Sequence, residues 1–179
     1  GLLVQWIQLY EINVELVSSI MKAMNKNFDD YVIYHGSGGD IIILAKPKGK
    51  MGEPSKTLFK NDELKTVLQR LEIPNHESLS LRVLGRKSAM APLFDSVNIP
   101  MNSDYFPVID QLAVKSRFLE HKALDITKLV LFAGVTHSLF EFNDGRKTTD
   151  FIDKVGLNTS SELVSSMMTT KAVLNFYQK

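Results

Sequence analysis

The pattern of apolar and polar residues in the first part of the chain predicts a strand, a helix and a hairpin. Residues 2–9 form a mostly apolar run of strand length. A helix is predicted next, because Asn13 is a suitable N-cap and the apolar residues after it recur on one helical face. Two β-rich runs, at residues 31–34 and 41–45, flank a glycine-rich stretch, and this arrangement is typical of a hairpin.

The remainder of the chain favours helices separated by breakers. Lysine, glycine and proline residues indicate a polar linker over residues 48–56, with a solvated linker favoured over a phosphate-binding segment. Apolar residues at helical spacing then predict a mainly helical region over 57–179. The predicted helices span 61–72, 76–84, 87–97, 108–119, 125–142 and 148–155, and a capping box at Thr159-Ser160-Ser161-Glu162 begins a last one. The first of these helices is expected to bury an apolar stripe of Leu64, Val67, Leu68 and Leu71.

Two stretches carry a resemblance to a known family. The sequence QWIQLYEINVELVSSIMKAMNKNF, followed by DDYVIYHGSGGDIIILAKP, resembles the end of the catalytic domain in spermidine synthase-like proteins. The stretch 102–110 is similar, more weakly, to an Asn-Thr-Asp-Asp-x-Pro segment of the larger bacterial members. The resemblance implies an α/β fold, α+β as a fragment. Residues 1–47 would be the carboxyl-terminal strand-helix-hairpin portion of a Rossmann-like methyltransferase sheet, joined by the linker to the mainly helical region.

The resemblance also implies an activity, namely transfer of an aminopropyl or methyl group from decarboxylated S-adenosylmethionine or S-adenosylmethionine. In this family the glycine-rich cofactor turn, the acidic ribose-binding residue and the catalytic aspartate all precede the strand matched by residues 2–9. We therefore expect no catalytic or cofactor-binding residue in this chain, and we expect the chain alone to be inactive. Its absent initiating methionine also predicts a fragment, whose missing amino-terminal half is the expected partner.

The candidate substrate-binding residues are Gln5, Trp6 and Tyr10. The resemblance matches Gln5 to a glutamine that ends the corresponding strand and faces the amine in true spermidine synthases. Trp6 and Tyr10 are candidates for lining the same cleft, although aromatic residues beside a sheet more often belong to the core. The family's Pro-Thr-Tyr element is replaced here by the sequence HGSGG at 35–39. This departure removes an aromatic wall of the polyamine pocket and leaves the identity of the amine open.

Composition and charge narrow the classes of function. Lysine plus arginine total 21 against 20 for aspartate plus glutamate, so the net charge of +1 provides no global field for nucleic acid or an acidic membrane. The chain has no cysteine, which fits a reducing compartment and makes the cytoplasm the expected location. No apolar run approaches the length that crosses a bilayer. The histidines show no close pairing, so no metal site is expected.

Two further expectations concern partners. As an alternative to the transferase, the region 57–179 would be a non-catalytic interaction or packing module attached to a degenerate methyltransferase-like fold. In either case the strand at 2–9 would have a bare edge, and neither charge nor proline blocks that edge. We therefore expect a homo-oligomer through this edge, unless the region 57–179 folds back over it and leaves a monomer.

Overall fold

A computed structural model of the chain describes residues 1–36, 39–124 and 126–127. This part of the protein has a mixed α+β architecture built on one four-stranded sheet. The strands are β1 (Leu3–Gln8), β2 (Asp30–His35), β3 (Asp40–Lys46) and β4 (Val83–Arg86), and the helices are α1 (Val14–Asn27), α2 (Asp62–Arg70), α3 (His76–Leu81), α4 (Lys87–Ser96) and α5 (Val108–Phe118), with a 3-10 helix at Lys56–Lys60. None of the described helices is both long enough and apolar enough to cross a membrane. The helix predicted at 125–142, apart from residues 126–127, and the helices predicted at 148–155 and from residue 159 lie outside the described residues.

The sheet has the strand order β1-β3-β2-β4, and each neighbouring pair is antiparallel. Since β3 is antiparallel to both of its neighbours, β1 and β2 run in the same direction on either side of it. In the central strand, Ile43 lies opposite Gln5 of β1 and Ile33 of β2. The hairpin predicted from the apolar runs at 31–34 and 41–45 is confirmed by the pairing of β2 with β3.

Helix α1 covers one face of the sheet. It begins as predicted, with the Asn13 side chain accepting a hydrogen bond of 2.9 Å from the backbone N–H of Leu16. Its apolar face buries Val17, Met21 and Met24 against the sheet. Residues of both strands and helices share this core, namely Ile7, Leu9, Val17, Met21, Met24, Tyr31, Ile33, Ile41, Ile43, Ala45, Leu84, Met90, Phe94, Ala123 and Ile126.

The opposite face of the sheet is exposed at β1 and at Ile42 of β3, whereas Val32 of β2 on the same face is buried. Val4 and Trp6 on β1 are 63% and 51% exposed, and Ile42 on β3 is 36% exposed. These residues alternate along their strands with buried ones such as Ile7 and Ile43, as the two-residue period of a strand requires. Within the described residues the sheet therefore has one covered face and a second face that is apolar and exposed at β1 and at Ile42.

One predicted helix is wrong at its carboxyl end. The helix expected over 76–84 ends at Leu81, and Val83–Arg86 forms β4 instead. β4 pairs with β2, and Leu84 is buried in the core. Because the partner strand lies far away in the sequence, no local periodicity reports this pairing.

The apolar stripe predicted to be buried on α2 is also wrong. The helix itself forms as expected, with the Asn61 side chain accepting a hydrogen bond of 3.0 Å from the backbone N–H of Leu64. However, Leu64, Val67 and Leu71 are all exposed, and Leu68 is only partly buried. Helical periodicity identifies an amphipathic face, but it does not say whether anything covers that face.

The described residues divide into two compact units. One comprises 1–51 and 83–127, and the other comprises 52–82. The first unit contains the whole sheet with α1, α4 and α5. Strand β4 therefore belongs with the other strands, although it follows the polar linker at 48–56 in the sequence. The second unit contains α2 and α3, and within it the Arg82 guanidinium donates a hydrogen bond of 2.8 Å to the carbonyl of Leu71.

Helix α5 ends in a Schellman motif that places Glu120 in the left-handed region. Its φ is +51°, and its backbone N–H donates to the carbonyl of Arg117 at 3.0 Å. The N–H of His121 donates to the carbonyl of Ser116 at 3.1 Å, which completes the motif. Glycine is the usual residue at this position, because a Cβ is unfavourable there by about 1 kcal/mol.

We expect Glu120→Gly to stabilise the protein. Removing the Cβ relieves the left-handed strain, and the expected gain in the free energy of unfolding is about 0.5–1 kcal/mol by urea denaturation. Glu120→Ala is the matched control, because it removes the same carboxylate but keeps the Cβ. An equal gain in both variants would mean that the charge, and not the backbone conformation, is responsible.

Candidate functional site

The three residues predicted to bind substrate lie on β1 or just after it, but they do not share one face. Gln5 is exposed in the first half of β1, and its Nε2 donates a hydrogen bond of 2.8 Å to the carbonyl of Trp6. Trp6 points to the other face, because consecutive strand residues alternate. Tyr10 follows four residues later, roughly 13 Å along an extended chain. The structure therefore does not bring Gln5 together with the two aromatic residues.

A different pair of polar residues meets at the carboxyl end of β1. Gln8 is the last residue of β1 and lies directly opposite Asp40, the first residue of β3. Side chains of directly opposed residues project from the same face with their Cβ atoms about 5 Å apart. Gln8 and Asp40 thus form an amide–carboxylate pair at the end of the sheet.

Asp40 carries the clearest sign of an unmet interaction. Its Oδ1 is buried, and it has no hydrogen-bond partner within the described residues. A buried carboxylate oxygen without a donor is unfavourable by about 1–3 kcal/mol or more, and such an atom in a folded protein calls for an explanation. The backbone of Asp40 is well anchored, since its carbonyl accepts a hydrogen bond of 2.8 Å from the N–H of Gly36.

The segment after α5 packs over this end of the sheet. The N–H of Leu9 donates to the carbonyl of Gly39 at 3.0 Å, and the N–H of Ala123 donates to the carbonyl of Leu9 at 2.7 Å. Tyr10 forms an isolated β-bridge with Lys122. Gly39 has a φ of +89°, and a Cβ there would lie 2.9 Å from Cδ2 of Leu124. A glycine at this turn therefore allows the close approach of the covering segment.

One exposed ion pair lies just after the same end of β1. Glu11 follows Tyr10 with a φ of +60°, and its carboxylate lies 3.2 Å from Nε of Arg117. The side chains of both residues are exposed to solvent, so this ion pair contributes little to the stability of the protein. The described residues contain no group of three or more side chains that could hold a metal ion.

The arrangement suits recognition of a positively charged or hydrogen-donating group. The free oxygen of Asp40 accepts donors only, whereas the Gln8 amide both donates and accepts. Because Oδ1 is buried, a donor from a ligand reaches it only by displacing a neighbouring group. An ammonium group would satisfy the carboxylate with a charge-assisted hydrogen bond.

The sequence shows both residues of this pair, but it does not show that they lie opposite each other. Gln8 is a polar residue near the end of an apolar run, and Asp40 opens a strand after a glycine-rich turn. Their opposition depends on the register between β1 and β3, which α1 and β2 separate in the chain. Local turn chemistry sets the register of a hairpin, but it does not set that of a pairing between distant strands.

The second stretch with family resemblance, at 102–110, consists of a loop anchored to α1 and the first turn of α5. The N–H of Asn102 donates to the carbonyl of Ser19 at 3.1 Å, and the Asn102 side chain accepts from the N–H of Ile109 at 3.1 Å. Ser103 and Phe106 exchange backbone hydrogen bonds, and Tyr105 between them is almost fully exposed. The described contacts give this loop a structural role beside α1.

Comparisons with known proteins add no relative. No protein-family model, no curated protein and no solved structure matches the chain. The assignment of function therefore depends on the residues and the geometry described above.

Proposed function

We propose that the chain is the carboxyl-terminal portion of a spermidine synthase-like transferase that moves an aminopropyl or methyl group from an S-adenosylmethionine-type donor. The observation that carries this proposal is the insertion of β3 between β1 and β2. The two outer strands run in the same direction, α1 connects them, and β3 is antiparallel to both. The last strands of a Rossmann-like methyltransferase sheet have this order.

In this proposal the donor is held by the amino-terminal half of the same protein, because the cofactor-binding elements of the family precede the strand that β1 matches. The cytoplasm is its proposed location, in keeping with the absence of cysteine. The chain described here contributes the amine side of the site. Gln8 is the glutamine at the carboxyl end of β1, so we assign it, with Asp40, the contact to the amine that the sequence suggested for Gln5.

The proposal is tested by kinetics on the protein in which this chain is joined to its amino-terminal half. Transfer to putrescine from decarboxylated S-adenosylmethionine, and methyl transfer from S-adenosylmethionine, are measured with each substrate varied. We expect Asp40→Asn and Gln8→Ala to raise KM for the amine by about tenfold or more, with KM for the donor unchanged. Asp40→Asn removes the negative charge that strengthens the hydrogen bond to an ammonium group, and Gln8→Ala removes the amide that contacts the amine.

Gln5→Ala is the matched control, since Gln5 lies on the same strand and its amide bonds to the backbone. A raised KM for the amine in Gln5→Ala, with Gln8→Ala unaffected, would return the amine contact to Gln5. No transfer of either group by the joined protein would contradict the proposed function. The chain alone should show no binding of S-adenosylmethionine, its decarboxylated form or methylthioadenosine by calorimetry.

A second candidate function is supported by one observation on the other unit. Helix α2 exposes Leu64 and Val67, and its C-cap Leu71 is exposed too. An exposed apolar stripe of this kind marks an interaction surface. In this alternative the chain is a non-catalytic interaction or packing module attached to a degenerate methyltransferase-like fold. A glycine-rich turn followed by an aspartate pair in the upstream sequence would favour the transferase, and their absence would favour the module.

A further inference from the structure

Three cross-strand pairs form a row along the face of the sheet that α1 does not cover. The register of β1 and β3 pairs the even-numbered residues of the two strands, namely Gln8 with Asp40, Trp6 with Ile42, and Val4 with Leu44. Residues two apart on a strand project from the same face, and directly opposed residues share that face. Successive pairs of the row are therefore about 7 Å apart.

The row is polar at one end and apolar along the rest. Gln8 and Asp40 supply the polar end. The other side chains form an apolar track of Val4, Trp6, Ile42 and Leu44. Three residues of this track are exposed, and the fourth, Leu44, is half-buried. The row thus combines one carboxylate with an apolar surface that remains in contact with water.

The polar end has an unmet interaction. Oδ1 of Asp40 is buried and has no hydrogen-bond partner within the described residues, and a carboxylate oxygen accepts donors only. Asp40 as a whole and Gln8 opposite it are half-buried, so the pair lies close to the surface. A donor that reaches a partly desolvated carboxylate interacts with it more strongly than in water, because less solvent screens the charge.

We propose that this row binds a primary alkylammonium ligand, with the ammonium group on Asp40 and Gln8 and the hydrocarbon chain on the apolar track. The ammonium group supplies the donors that the carboxylate lacks, and the amide oxygen of Gln8 accepts a further hydrogen bond. The chain covers the Trp6–Ile42 pair first, and a longer chain then covers the next pair along the row.

The same arrangement favours an amine with a single charge. Its one carboxylate lies at the end of the row, and the apolar track contains no acidic residue. The second ammonium group of a diamine would therefore lie over apolar side chains, where it loses hydration without gaining a carboxylate. This inference rests on the amine contact assigned to Gln8 and Asp40 in the proposed function, and it specifies the class of amine.

The only tryptophan of the chain provides a direct measurement of binding, because Trp6 is part of the apolar track. The natural chain is titrated at neutral pH and constant ionic strength with methylammonium, butylammonium, hexylammonium and octylammonium chloride, and Trp6 fluorescence is followed. We expect Kd to fall by about two- to fourfold for each added methylene, because each one covers further apolar surface. A Kd that is independent of chain length, or no binding of octylammonium, would overturn the proposal.

Two matched sets of ligands separate the charge from the chain. Hexanol and hexanoate have the chain of hexylammonium but no ammonium group, and each should bind at least about tenfold more weakly. Putrescine has the four carbons of butylammonium and a second charge, and it should bind more weakly than butylammonium. Tighter binding of putrescine would mean that Trp6 holds a cation over its ring, which would overturn the preference for a single charge.

Three variants assign the two parts of the site. Asp40→Asn should raise Kd for hexylammonium by about tenfold and leave that for hexanol unchanged, because only the charge is lost. Ile42→Ala should weaken the dependence on chain length and leave Kd for methylammonium unchanged. Gln5→Ala is the control, since Gln5 projects from the opposite face of β1, and it should change neither value. Circular dichroism establishes that each variant keeps its fold.

The outcome is independent of whether the parent protein is a transferase, because binding is measured on this chain alone. Alkylammonium binding with the expected dependence on Asp40, in a joined protein that transfers neither group, would contradict the proposed function and support this site. Conversely, transfer to an amine by the joined protein, with binding that a folded Asp40→Asn variant does not weaken, would support the transferase and overturn this inference.

Discussion

Ile43→Ala is expected to lower the free energy of unfolding by about 3 kcal/mol, within the range of 2–5 kcal/mol typical of such truncations. Ile43 has 0% exposure and lies at the centre of β3, opposite Gln5 on one side and Ile33 on the other. It belongs to the core that joins the sheet to Val17 and Met21 of α1. Removing its branched side chain leaves a cavity between two rigid elements that collapse only partly. Urea denaturation at neutral pH measures the loss.

The neighbouring residue provides a matched control. Ile42 is 36% exposed on the opposite face of the same strand, so Ile42→Ala removes the same atoms from a site that retains contact with water. We expect its cost to be below about 1 kcal/mol. If both variants lost the same stability, the second face of the sheet would be as buried as the first, which would contradict the one-sided core.

The features that could be predicted from the sequence are those whose cause is local. Asn13 caps α1 because its side chain reaches an N–H three residues later, and that requirement is written into neighbouring positions. The hairpin of β2 and β3 follows from two apolar runs and a short glycine-containing connection. The apolar face of α1 follows from helical periodicity, and the structure buries it.

Features that depend on distant partners could not be predicted in the same way. β4 is a strand because β2 offers it a free edge, and a short segment such as Val83–Arg86 carries no period of its own. For α2 the helix was predicted correctly, but the burial of its apolar stripe was not. Tertiary contacts decide both features. Pairing with β2 makes β4 a strand, and the stripe of α2 stays exposed because no element among the described residues covers it.

The candidate site also depends on contacts between residues that are distant in the sequence. A resemblance to a family pointed to a glutamine on β1, and only the bounds of the strand distinguish Gln5 in its first half from Gln8 at its carboxyl end. Asp40 became a candidate only when the register placed it opposite Gln8 and its Oδ1 was found buried without a partner among the described residues. The Gln5 side chain instead donates a hydrogen bond to the carbonyl of Trp6, a backbone group of its own strand.

Tyr31 makes the stability of the protein depend on pH in the alkaline range. It has 0% exposure on β2, and its hydroxyl donates a hydrogen bond of 2.7 Å to Oδ1 of Asn25. Burial raises the pKa of the phenol well above its usual value near 10, and the negative charges of Asp95 and Asp30 raise it further. The folded state therefore keeps its proton at pH values where the unfolded chain loses it.

The sign of the effect follows from this difference in bound protons. Below about pH 10 both states hold the proton, and the contribution of Tyr31 to stability is fully present. As the pH rises above 10, only the unfolded state ionises, so the free energy of unfolding falls by about 1.4 kcal/mol per pH unit until the folded pKa is reached. We therefore expect stability to fall steeply between pH 10 and about 12.

Tyr31→Phe separates this effect from other alkaline titrations. At pH 8 the variant should be less stable by about 1–2 kcal/mol, because the Oδ1 of Asn25 loses its buried donor. Above pH 10 the free energy of unfolding of the variant should lack the steep fall. The stability curves of the natural protein and the variant should therefore converge and then cross as the pH rises. Urea denaturation at a series of pH values from 8 to 11.5 measures both curves. Parallel curves would contradict the prediction, since they would mean that the phenol of Tyr31 ionises equally readily in the folded and unfolded chains.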